Sequence, residues 1–467
     1  MQSEQKISYQ VIMAIIATGI MSFCGVVVET AMNITFPTLM KQFNVSTSTV
    51  QWMTTIYLLV VAIIVPLSAT FKQNFKTKQL FIFANIMFIL GVFIDTIAPS
   101  FTILLIGRAI QGIGTGIALP LMFNIILEQV PMSKIGMMMG IGTLITAVAP
   151  AVGPTFGGAV VSSIGWRYIF IFLIPLLVIS LFLGVFNIQQ KSEIKHSRFD
   201  IIGFIFITLG LSGLIFGFSN LGNTSFIDLK VGGAITIGII SILMFIWRSS
   251  QIKNPIINVK VLGNLNFSGH VFAFFIFQLV SLGLSFLLPN YIQLVNHSSA
   301  VLAGLIVLPG ALIGAVFAPL GGRILDTIGP KGPLTMGSGI ALIVLLIFVF
   351  NGTSLSNLLI GCLYFFFMIG IGLSFGNLMT NGLKQLDSNL HSHGNAILTT
   401  MQQFSGAVGT SLTAAFVATK QTTQVTLSQG TAAGSHSALI FLITAMLIEF
   451  IVLVKVVDFP FKSQKNK

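Results

Sequence analysis

Long apolar runs separated by short polar stretches dominate the chain. A helix needs about 20 mainly apolar residues to cross a bilayer. By that ruler, spans fall at 11–36, 48–70, 79–97, 101–127, 136–162 and 167–187. Two more lie at 200–220 and 230–247, and six follow at 268–290, 299–322, 333–350, 356–378, 396–419 and 437–457. The runs are continuous rather than alternating, which excludes a membrane β-barrel. The pattern predicts an all-α polytopic membrane protein with 14 transmembrane helices.

Composition removes the alternatives. The 467 residues are 55% hydrophobic and 7% charged, with a mean hydropathy of +0.98. A soluble domain carries about a quarter charged residues, and a disordered chain lacks aromatics, whereas this one has 42 Phe. The net charge of +12 would suit a nucleic-acid binder, but the cations sit in short loops and not in one stripe, so no nucleic acid is expected. Their distribution sets the orientation instead. With the N-terminus cytoplasmic, the two termini and the loops at 70–79, 127–136, 187–200, 247–268, 322–333 and 378–396 collect 18 cations, while Lys41, Arg167, Lys230 and Lys420 remain on the other side. An even number of spans then puts both termini in the cytoplasm. The first run is too long for a cleavable signal and contains Glu29. Cys24 and Cys362 lie in apolar runs and read as small buried hydrophobes, not as a disulfide or metal pair.

The chain repeats weakly. PLSATFKQNFKTK from Pro66 resembles PLGGRILDTIGPK from Pro319, and Gly112–Gly114 has a Gly-Ile-Gly counterpart at Gly370–Gly372. This implies an N-terminal six-helix bundle in 1–190, a linker with spans 7 and 8 in 191–260, and a C-terminal six-helix bundle in 261–467. The Gly-Ile-Gly register sets Phe366 opposite Arg108, so the second half lacks the arginine.

Charges within spans are the candidates for chemistry. Glu29 in span 1 and Arg108 in span 4 each lie about seven residues, or roughly 10 Å, from the outer end. An ionised group in hydrocarbon costs at least about 2.5–3.5 kcal/mol, so each should face the interior and have a role or a partner. Burial and a nearby cation act in opposite directions on an acid's hold on its proton, so helix movement can load or unload Glu29. Arg108 keeps its charge and can orient the acid, with Gln111 one turn along as a neutral hydrogen-bond partner. A structural ion pair is the plainer alternative. Glu449, about twelve residues into span 14, is a second candidate proton or substrate site or a packing oddity. Asp95, at the outer rim of span 3, is expected to be solvated.

On span 5, Ala149, Gly153 and Gly157 recur every four residues as a smooth stripe, with Gly158 beside it. Pro150 and Pro154 remove backbone donors and favour a bend. The segment reads as a gate or hinge, or as ordinary tight packing. Asp326, between Arg323 and Lys331, could cap a helix or pair with a cation and latch the cytoplasmic side, or lie in a solvated turn. The first-half copy carries Ala69, Gln73 and Lys76 instead, which shifts the latch onto Asp326. His391 and His393 near Asp387 read as a loop and not as a metal site. No GxxxxGK[ST] is present, and GIGTG lies inside a span with no strand before it, so phosphate binding has no support.

Four stretches resemble motifs of the major facilitator transporters, and of their fourteen-helix drug:proton antiporters in particular. LLIGRAIQGIGTG (Leu104–Gly116) is similar to the arginine motif of helix 4, and APAVGPTFGG (Ala149–Gly158) to the helix-5 motif that marks antiporters. GGRILDTIGPK (Gly321–Lys331) resembles the cytoplasmic loop motif, and VETAMNITFPTL (Val28–Leu39) the helix-1 motif, whose first acid is usually Asp. The resemblance implies a major facilitator fold in a bacterial plasma membrane, with the substrate path between two six-helix bundles. It implies export of lipophilic, mostly monocationic or zwitterionic compounds in exchange for protons. Glu29 and Arg108 would couple protons, and Glu29, Asn33, Gln111 and Glu449 would meet substrate. Protons, small drugs and lipid are the expected partners of a monomer that is not an enzyme and needs no cofactor or metal. Proton-coupled uptake or transport of one metabolite is the competing reading.

Overall fold

A computed structural model of the chain describes residues 7–131, 135–191, 193–194, 199–221, 227–252, 255–387 and 390–458. Of the loop cations, Lys134, Lys195, Arg198 and Lys253 lie outside the described residues, as do Lys6 and the C-terminal lysines. The long helices are α1 Tyr9–Phe43, α2 Thr47–Leu67, α3 Thr77–Ile97, α4 Phe101–Gln129, α5 Ile135–Ser163, α6 Arg167–Asn187 and α7 Ile201–Asn220. They continue as α8 Leu229–Gln251, α9 Leu265–Leu294, α10 Ala300–Ile328, α11 Lys331–Phe350, α12 Asn357–Leu383, α13 His391–Gln421 and α14 Leu427–Asp458. Among the described residues, 12 helices are long and apolar enough to cross a membrane. α5 and α13 are not in that set. α13 carries too many hydroxyls for the apolar criterion, and it buries Thr400, Ser405, Thr410, Ser411 and Thr413 against other helices.

Local chemistry starts and stops these helices. Serine hydroxyls cap the first turns of α2, α4, α10 and α12 through Ser46, Ser100, Ser299 and Ser356, accepting from backbone amides that no helical carbonyl can reach. These four helices begin at the same end of the molecule, the one that the cation pattern places outside. α1 stops where Asn44 takes a left-handed conformation at φ 51°. α10 runs on to Ile328, so Gly321–Ile328, read from sequence as part of a loop, forms its last two turns.

Packing follows a doubled scheme. α1 packs on α4, α5 and α6, α4 on α2 and α3, and α3 on α6. Each pair recurs eight helices later: α9 packs on α12, α13 and α14, α12 on α10 and α11, and α11 on α14. Three seams join the halves, α5–α10, its counterpart α2–α13, and α1–α9. α7 packs on α8 and covers the α2–α13 seam, with Trp52 and Phe216 rings 6.0 Å apart.

The small-residue stripe of α5 serves two neighbours. A methyl group on Gly157 would lie 2.6 Å from the Ala31 carbonyl oxygen of α1, and one on Gly158 would collide with the Ala300 carbonyl of α10. Backbones can approach this closely only where no Cβ intervenes. Pro150 and Pro154 lie within the continuous helix α5. Cys24 is buried as expected, but Cys362 is exposed on the outward face of α12, because an apolar run does not specify which residues face lipid.

Candidate functional site

The first half contains a buried polar chain, built on a helix hairpin. α3 and α4 are joined by only three residues, so positions on either side of the turn share a depth. Side chains on a helix lean toward its N-terminus. Asp95 therefore leans away from the turn, toward the middle of α4. This corrects the expectation of a solvated rim: Asp95 is 0% exposed and its Oδ2 accepts from Gln111 Nε2 at 2.6 Å. Room for the carboxylate comes from Gly107, where a Cβ would strike Asp95 Oδ1.

Gln111 passes the chain on, since its Oε1 accepts from Arg108 Nη1 at 2.6 Å. Arg108, also 0% exposed, donates from Nε to the Met53 carbonyl of α2 at 3.0 Å, and its guanidinium carbon lies 4.2 Å from the Tyr57 ring centroid. A desolvated cation–π contact of this kind contributes about 2 kcal/mol. Tyr57 is held by its own hydroxyl, which reaches Thr115 Oγ1 at 2.9 Å and the Gly25 carbonyl of α1 at 3.0 Å. Four helices thus fix one guanidinium.

Glu29 lies one turn beyond Gly25 on α1 and is 8% exposed. Among the described residues it forms neither a hydrogen bond nor an ion pair. The structure brings Glu29 and Arg108 into one region of the first half but not into contact as a salt bridge. Asn33, 2% exposed, accepts from Thr54 Oγ1 at 2.8 Å, and its Nδ2 has no partner among the described residues.

The remaining candidates lie elsewhere. Glu449 is fully buried where α14 meets α11, and Ser338 Oγ donates to its Oε1 at 3.1 Å, a partner that the sequence did not indicate. Arg323 and Asp326 are both exposed, and Asp326 has no hydrogen bond or ion pair among the described residues. On the first-half side, Lys72 pairs with Glu128 of α4, so an ion pair stands there although the usual acid is missing. His393 Nδ1 accepts from the Asn258 amide at 3.3 Å, and His391 Nε2 meets the Leu386 carbonyl at 3.1 Å.

The helix contacts also correct the register of the halves. The α2-facing positions of α4 are Arg108, Gly112 and Gly116, and the α10-facing positions of α12 are Tyr364, Met368 and Gly372. Tyr364, not Phe366, therefore stands where Arg108 stands, and Phe366 is exposed. A Gly-Ile-Gly triplet touches two neighbouring helices at once, so it can be aligned two residues out of step.

At the end of the molecule that carries the 43–47 turn, the halves are closed on each other. Gln293 Nε2 donates to the Ile34 carbonyl at 3.1 Å, Thr47 Oγ1 to Gln421 Oε1 at 2.6 Å, and Thr155 Oγ1 to the Gly304 carbonyl at 3.2 Å. Toward the opposite end the α5–α10 seam carries an open, apolar surface groove of about 650 Å³, lined by Val148, Leu312, Ala315, Val316, Pro319, Leu320 and Arg323, of which Leu312, Val316 and Leu320 are exposed.

Two six-helix groups that meet at paired seams, with ionisable groups buried in both, have the architecture of transporters built from repeated halves. The profile of the Major Facilitator Superfamily matches residues 18–410, and the chain belongs to that superfamily. It is 37% identical over 415 residues to the lincomycin resistance protein LmrB of Bacillus subtilis, covering 88% of this chain and 87% of that one. It is 24% identical over 387 residues to a multidrug resistance protein B homolog of Mycobacterium tuberculosis, covering 82% and 72%. Among solved structures, a bacterial homolog of the human lysosomal transporter Spinster shares the fold at a TM-score of 0.69 and 14% identity, over 96% of this chain and 97% of that one.

Proposed function

We propose that the chain exports lipophilic, mostly monocationic or zwitterionic compounds from a bacterium in exchange for protons. The observation that carries this reading is Glu29: a nearly buried acid, without a hydrogen-bond partner among the described residues, beside a guanidinium that cannot discharge. A carboxyl so placed can hold a proton or stand as a carboxylate against a cation, but not both. As the cation takes its place against the Glu29 oxygens, the proton leaves for water, and the two occupants become mutually exclusive. Resistance proteins for lincomycin and for multiple drugs among the relatives support the substrate class.

The closed 43–47 end fits a state shut toward the outside, in a protein with 14 spans, bundles at 1–190 and 261–467, and both termini inside. Pro150, Gly153, Pro154, Gly157 and Gly158 would let α5 move against α1 and α10, and Arg323 and Asp326 would serve the cytoplasmic side. Asn33 flanks the Glu29 position. Gln111 acts through Arg108, and Glu449 supports the second half. All the groups invoked belong to one chain, so a monomer suffices. Everted membrane vesicles with an imposed pH gradient test the reading: addition of lincomycin or tetraphenylphosphonium should release protons from the lumen. No release with any lipophilic cation would refute it.

A further inference from the structure

We propose that Asp95 is the standing counter-charge of Arg108, delivered through Gln111, which leaves Glu29 as the one carboxyl that changes partner. The inference rests on the exchange reading above and deepens it. Arg108 has no carboxylate within ion-pair distance among the described residues, where the pairs are Lys72–Glu128 and Arg248–Asp200. A fully buried guanidinium without a balancing charge would be very costly. The structure supplies that balance at one remove, with Asp95 Oδ2 2.6 Å from Gln111 Nε2 and Gln111 Oε1 2.6 Å from Arg108 Nη1.

The orientation of the amide follows from its neighbours. Turned over, it would set its oxygen against the carboxylate and its NH2 against the guanidinium, losing both hydrogen bonds. A glutamine between two opposite charges thus acts as an aligned dipole that transmits the field of each to the other. Asp95 Oδ1 and Arg108 Nη2 are buried without a hydrogen-bond partner among the described residues, so the amide is the link between the two charges. Gly107 clears the space that Asp95 Oδ1 occupies, and a Cβ on Gly91 of α3 would lie 2.7 Å from Gln111 Cγ. Asp95 is a positioning residue: it touches neither substrate nor Glu29.

The consequence concerns charge. If Glu29 were the only acid available to Arg108, an arriving cation would have to break a buried ion pair. With Asp95 as partner, Arg108 is balanced throughout the cycle, and Glu29 can give up a proton to one monocation without disturbing the network.

The test uses the full-length protein in proteoliposomes, with tetraphenylphosphonium as the probe. Asp95→Asn keeps the size and an acceptor oxygen but removes the charge, and should raise the KM for the cation at least tenfold. Asp95→Asn combined with Gln111→Glu reverses the chain, with the amide on α3 and the carboxylate on α4 against Arg108. This double variant should return KM to within threefold of wild type, which a merely structural loss would not allow. A wild-type KM in Asp95→Asn, or a double variant no better than the single, overturns the inference. If Asp95→Asn does not accumulate, Gln111→Glu alone is compared with the double variant. There two carboxylates crowd each other, and exchange should fall at least tenfold below the double variant; equal exchange overturns the inference. Absence of coupled exchange in the wild type would instead refute the exchange reading itself.

Discussion

Arg108 and Asp95 occupy opposite arms of one helix hairpin and are joined by a single amide, that of Gln111, with 2.6 Å contacts at both ends. The guanidinium is fixed from three further directions, by the Met53 carbonyl, the Tyr57 ring and the body of α4. Arg108→Lys should therefore lose most coupled exchange. A compact ammonium can reach one of these partners but cannot bridge them as a planar fork does. Drug-driven proton flux checks this, and normal flux in the Lys variant would leave the arginine with a packing role alone.

Tyr57 separates two contributions. Tyr57→Phe keeps the ring beneath Arg108 but gives up the hydroxyl bonds to Gly25 and Thr115, at a cost of about 1 kcal/mol per bond. Tyr57→Leu also removes the cation–π contact, worth about 2 kcal/mol more. Thermal unfolding in detergent should rank wild type above Phe above Leu, and exchange should survive in Phe and fail in Leu.

Much of this was legible in the sequence. The apolar helices, the buried Glu29 and Arg108, and the pairing of Arg108 with Gln111 follow from run length and helical spacing, although 12 helices among the described residues, not 14, are apolar enough to cross a membrane. Asp95 was misplaced because its Cα lies near the turn, and only the lean of the side chain carries the carboxylate inward. Tyr57 and the Met53 carbonyl belong to α2, and no spacing rule links them to α4. The serine caps at Ser46 and Ser299, and at Ser100 and Ser356, mark the repeat with nearly the offset that the helix contacts show. The glycine triplets set the register that places Phe366 against Arg108, two residues out of step with the helix contacts.

The α5 stripe should be intolerant of bulk at the closed end. Gly158→Leu would drive a branched side chain into the Ala300 backbone of α10 and hold the 43–47 end open. Cysteines placed near that end should react faster with an impermeant thiol reagent in this variant than in the wild-type background. Unchanged labelling would show that the seam is not what closes this end.

Charge selectivity follows from a single changeable carboxylate. A dication at Glu29 would leave one charge uncompensated in a low-dielectric site, at a cost of several kcal/mol. Monocations should thus be exported well and dications of similar size poorly, and Glu449→Gln should alter neither, since Glu449 is buried against Ser338. Selective loss of dication export in Glu449→Gln would put that side chain in the pathway.

The exchange of proton for cation at Glu29 is tested most directly by mixing purified protein with tetraphenylphosphonium in weakly buffered detergent solution and counting the protons released. Wild-type protein should release about one proton per cation bound, Glu29→Asp a reduced fraction, and Glu29→Gln none while remaining folded. Proton release of normal size from Glu29→Gln would place the exchanging carboxyl elsewhere.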